Sequence, residues 1–119
     1  MSNVAIESIT PRNGQLSIHI QVSAAINVTA FTARQKVTGY VADQISTNMH
    51  GGEPTLVVGK QIYWRVPIVL SLPPLGDRGI VGNIDVDIET GQLLVTPQIL
   101  TEIMQRAESL AISAAHTPA

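Results

Sequence analysis

From Ile62 to Leu72 the chain alternates with a period of two. Ile62, Trp64, Val66, Ile68, Leu70 and Leu72 fall on one side, and Tyr63, Arg65, Pro67, Val69 and Ser71 on the other. A run this long can be satisfied only by an extended strand with one face in a core. The strand needs neighbours to complete its backbone hydrogen bonds and a layer to cover its apolar side. Pro67 lacks a donor, so its nitrogen is expected at an open edge or a bulge.

The flanking segments supply those neighbours. "PTLVV" precedes the strand and is separated from it by a break near Gly59-Lys60. "PPLGDRG" is expected to be a loop, "IVGNIDVDI" a returning strand, and "ETGQ" a tight turn into "LLV". Nearer the N-terminus, Leu16, Ile18, Ile20 and Val22 alternate with polar residues as a second half-buried strand, and Asn13-Gly14 suits a hairpin turn before it.

Two helical patterns remain. Ala30, Ala33, Val37, Val41 and Ile45 recur at three- and four-residue steps, with Asn27 or Thr29 as the cap and Gly51-Gly52 as the stop. This predicts a helix over 28–49. Gly39 lies inside it and is read as a point of close approach to the sheet. Thr96-Pro97 starts a second helix over 97–114, with Leu100, Ile103, Ala107, Leu110 and Ala114 in a stripe. The expected architecture is one α+β domain over 1–119. It has an N-terminal strand or hairpin over 1–24, an antiparallel sheet of about four strands centred on 54–95, one helix packed on the sheet and a C-terminal helix.

Composition narrows the function. The 119 residues fit a single domain, and with aromatics at 3% the core must be aliphatic. A net charge of −2 does not suit a nucleic-acid binder. With no cysteine, disulfides, thiolate metal sites and a cysteine nucleophile are excluded. The start "MSNVAIESITPRNGQ" has no basic region followed by an apolar run, and no segment is apolar enough to span a bilayer. These features predict a soluble, cytoplasmic protein without a membrane partner. Charged residues are only 13% of the chain, so part of the surface is expected to lie against a partner or a second copy.

Asp85, Asp87 and Glu89 occupy alternate positions in "NIDVDIETG". On a strand they share a face, and oxygen ligands so grouped suit a hard cation. The spacing also begins like a helix-loop-helix calcium loop. The match ends at the sixth position, where Thr90 replaces the required Gly, and at the twelfth, where Thr96 replaces the required Glu. A solvated strand face entering a turn is the better reading, with Arg65 or Lys60 across the strand offsetting the charge. His19, on a strand's polar face, His50, at a helix end, and His116, in the tail, have no metal-ligand spacing. Neither a phosphate-binding glycine loop nor a nucleophile elbow occurs. No catalytic residue, metal or cofactor is therefore expected. Tyr63, Arg65, Pro67, Asp85 and Asp87 are the candidate interaction residues, because Tyr and Arg on a sheet face rich in Pro and Val suit a binding surface.

The stretch "YWRVPIVLSLPPLGDRGIVGNIDVDIETGQLLV" resembles the second half of a PepSY-type domain. That family ends a strand in V-D-x-x-T-G-x-[IVL], matched here by Val86, Asp87, Thr90, Gly91 and Leu93. The resemblance covers about residues 28 to 95. It implies a small, non-catalytic α+β module with a regulatory or inhibitory role. The leading expectation is thus a module that self-associates or binds a protein or peptide. The alternative is a small-molecule-binding or enzymatic domain with a cleft between helix and sheet, marked by polar groups converging near Arg65, Tyr63 or His19.

Overall fold

In a computed structural model, which describes residues 3–6 and 25–115, the alternating segment is strand β4 (Ile62–Leu72). It lies inside a six-stranded sheet, with neighbours on both sides. On one side, β2 (Met49–Gly51) and β3 (Thr55–Val58) pair with successive parts of it, both antiparallel. On the other side runs β5 (Gly76–Asp87), also antiparallel. The two-residue strand β6 (Leu93–Leu94) continues beyond β5. The strand β1 (Asn3–Ile6) lies parallel to β3. The fold class is therefore the expected α+β, with more strands than anticipated and one parallel pairing. The anticipated Asn13-Gly14 hairpin and the strand Leu16–Val22 lie outside the described residues.

Pro67 sits at an interior position, not an open edge. Its carbonyl accepts from the Gly52 amide at 2.7 Å. In a strand the nitrogen and carbonyl of one residue point the same way, so the Pro67 nitrogen faces the break between β2 and β3, where the ladder is interrupted. The nitrogen thus faces a gap in the ladder between two neighbouring strands, and the open-edge reading does not hold.

Helix α1 (Ala30–Gln44) covers the apolar side of β4 and β5. Thr29 caps it by accepting the Thr32 amide at 3.1 Å. Ala33, Val37 and Val41 are fully buried against Trp64, Val66, Ile84 and Val86. Each buried valine or isoleucine contributes roughly 1.5–3 kcal/mol relative to an exposed one. Trp64, buried as expected, donates its indole N–H to the Val28 carbonyl at 2.7 Å, so the only polar atom of its ring is satisfied.

The helix is shorter than its sequence pattern suggests. It stops at Gln44, where Ile45 leaves helical geometry, and the Ile45 and Ser46 amides both bond to the Val41 carbonyl. The polar run Ser46-Thr47-Asn48 follows, with the Ser46 hydroxyl accepting from the Asn48 amide at 3.0 Å. Such local bonds compete with the helix ladder. His50 and Gly51 therefore belong to β2, not to a helix end. Gly39 also differs from expectation: it is exposed, and a Cβ there would meet nothing within 4 Å.

The loop after β4 is only Pro73–Leu75, since Gly76 and Asp77 already pair with Leu72 and Ser71. Register shifts fall between Ile68 and Val69 and between Leu70 and Ser71, so Val81 and Arg78 are extra residues on β5. Helix α2 (Pro97–Ala115) then runs back along β5. Ile103 lies over Gly82, and Leu110 lies near Gly79. A Cβ at Gly82 would stand 2.7 Å from the Ile103 Cγ1, so glycine permits the helix to approach this closely. Ile103 and Ala107 join the same core as α1.

Candidate functional site

The side of the sheet facing away from the α1 core carries Tyr63, Arg65, Pro67 and Val69 on β4. Opposite them on β5 stand Asp87, Asp85, Asn83 and Ile80 in that order. Opposed residues in an antiparallel pair point to the same face. The sequence-predicted residues are thus neighbours. Arg65 links three of them. Its Nε donates to Asp85 Oδ1 at 3.1 Å, and its Nη2 donates to the other Asp85 oxygen at 3.4 Å and to the Tyr63 hydroxyl at 2.9 Å. The Arg65 guanidinium carbon lies 5.3 Å from the Tyr63 ring centroid, within cation–π range.

This ion pair is part-exposed, with side-chain accessibilities of 39% for Arg65 and 24% for Asp85. Solvent screening limits such a pair to about 0.2–1 kcal/mol. Its main effect is geometric: it fixes the Arg65 guanidinium beside Asp85 and Tyr63.

Asp87 is a neighbour in register but not in chemistry. Its Oδ1 accepts the Glu89 amide at 2.8 Å and the Thr90 amide at 2.9 Å. The Thr90 amide, then the Glu89 amide, hold its carboxyl below the ordinary value of 3.8. The turn closes with the Gly91 amide on the Asp87 carbonyl at 2.9 Å, and Gly91 has φ +75°. Only glycine adopts that angle without strain. Lys36 of α1 donates to the Gly91 carbonyl at 3.0 Å, tying the turn to the helix. Glu89 lies past the end of β5 and is exposed. The three acids of the alternate pattern therefore divide: one pairs with arginine, one organises the turn, and one faces solvent. Among the described residues no three His, Asp or Glu side chains gather as metal ligands. His50 lies in β2 opposite Val69, while His19 and His116 fall outside the described residues.

Helix α2 adds residues that the sequence did not single out. Ile99, Glu102, Ile103 and Arg106 form the helix side of a half-open cleft of about 260 Å³. Arg65, Asp85, Asn83, Gly82 and Val81 form its sheet side. A neighbouring hollow of about 340 Å³ is lined by Ile80, Gln105, Arg106, Ser109 and Leu110. The sequence signal for the helix side was the Glu102–Arg106 spacing of four, which places both side chains on one flank of a helix. Ile80 was hidden by the bulge, which shifts the alternation of β5 by one residue. Among the described residues no helix is long and apolar enough to cross a membrane. In comparisons with protein families, with curated proteins and with solved structures, nothing matches this chain.

Proposed function

We propose that this chain is a non-catalytic interaction module, as its PepSY-like resemblance implies. In this reading the sheet face carrying Tyr63, Arg65, Pro67, Val69 and Ile80 binds a protein or peptide partner or a second copy of the chain. One observation carries the reading: Ile80 is 60% exposed opposite Val69, on the face where Tyr63 and Arg65 are already held together. An exposed aliphatic residue beside a fixed Tyr–Arg pair has the composition of a binding hot spot, with little side-chain entropy left to lose. Tyr63, Arg65, Pro67 and Asp85 are the contact residues. Asp87 supports them through the turn that ends β5.

The native mass of the chain, recovered gently from its own host, tests this reading. A mass above the 12.7 kDa of one chain is expected, as a dimer or with a stoichiometric companion. Ile80→Glu should return the chain to its monomer mass without changing its melting curve. A wild-type monomer without a companion would contradict the reading.

A further inference from the structure

The cleft between α2 and the sheet has a charge pattern that the partner-binding face does not need. Its formal charges cancel: Arg65 and Arg106 against Asp85 and Glu102. Arg65 and Asp85 are joined to each other. Glu102 and Arg106 stand one helical turn apart, the spacing at which such residues usually pair, yet no ion pair joins them. Among the described residues, the only bond at the Glu102 carboxylate is a long one, accepted from Gln98 at 3.4 Å. Among the described residues, none forms a hydrogen bond or ion pair with the Arg106 guanidinium or the Asn83 side-chain amide.

The cleft therefore offers unused donors, Arg106 and Asn83, and an underused acceptor, Glu102. Val81, Ile99 and Ile103 line the same cleft with apolar atoms. Guanidinium and amide donors suit a carboxylate, and a glutamate suits an ammonium. A ligand of one sign would be attracted by one pair of side chains and repelled by the other, whereas a ligand with both charges a few ångströms apart is favoured by each. We propose that this cleft binds a small zwitterion of the α-amino acid class, with its carboxylate on Arg106 and Asn83 and its ammonium on Glu102. A half-open cleft near 260 Å³ is large enough to admit a compact amino acid. This inference goes beyond the partner-binding reading: Arg65 and Asp85 line the cleft and belong to the partner face, but the ligand contacts Arg106, Asn83 and Glu102 are not partner contacts, so either reading can fail alone.

Calorimetric titration of the full chain with each common α-amino acid tests it. Propionate and ethylamine, which carry one charge each, serve as probes of the separate halves. At least one amino acid should bind with a dissociation constant below about 1 mM, a weak but ordinary affinity for so small a ligand. Propionate and ethylamine should bind at least ten-fold more weakly, by roughly the loss of one charge-assisted hydrogen bond. Arg106→Gln and Glu102→Gln should each weaken binding by about ten-fold on the same ground, while Glu108→Gln, outside the cleft, should leave it unchanged. Both cleft residues are exposed, so the variants should keep the wild-type melting curve. Absence of binding by every amino acid, equal binding of propionate, or unchanged binding in Arg106→Gln would each overturn the assignment. The native mass, measured in parallel, reports on partner binding separately.

Discussion

Asp87 holds the turn after β5 through two backbone amides, and this makes its charge a stability determinant. Its folded-state pKa is depressed, so its contribution is complete above the ordinary carboxylate value and is lost as pH falls through the lowered one. Asp87→Ala should lower the melting temperature by the same amount from pH 7 down to about pH 5. The difference should shrink as the pH drops below 3.8. A difference that does not change with pH would mean that the turn does not depend on the charge. Gly39 makes the opposite case. It is helical and exposed, with empty space where a Cβ would stand. Gly39→Ala should stabilise the chain by about 0.5–1 kcal/mol in urea denaturation.

At the scale of elements, the close contact of α2 with β5 depends on glycine. Gly82→Ala would place a Cβ 2.7 Å from the Ile103 Cγ1. The helix must then shift, at a cost of about 1–3 kcal/mol. In the Ile103→Ala background the clash disappears, so the two substitutions should be strongly non-additive in a double-mutant cycle. Additivity would show that Gly82 is not what sets the helix position. The elements differ in how far local pattern announces them. β4 alternates without interruption, so its inner and outer faces were legible from Ile62 to Leu72. The start of α1 was legible only as far as two candidate caps, Asn27 and Thr29, of which Thr29 is the one used. Its end was not, because Ile45 continues the apolar stripe that Ser46, Thr47 and Asn48 terminate. The turn at Asp87–Gly91 was legible from its acid, threonine and glycine. The bulge at Val81 was not, since the period of two has no local sign for an inserted residue.

At the scale of the whole molecule, the candidate face is assembled across the sheet. Tyr63 and Arg65 were legible as sharing a side of one strand. Their meeting with Asp85 depends on the register of β4 and β5, and their meeting with Glu102 and Arg106 depends on where α2 returns. Neither follows from spacing along the chain. One end of this face is charged and concave, where α2 meets the sheet. The other is apolar, at Val69 and Ile80, and α2 borders it too through Ser109 and Leu110.

The central claim is that contacts with a partner or a second copy are made through the β4–β5 face and not through the outer side of α1. A photo-crosslinking amino acid placed at Val69, and separately at exposed Gln35 on α1, tests this directly in the native host. The account predicts a discrete crosslinked species from position 69, lost in Ile80→Glu, and none from position 35. A species from position 35 alone would contradict it.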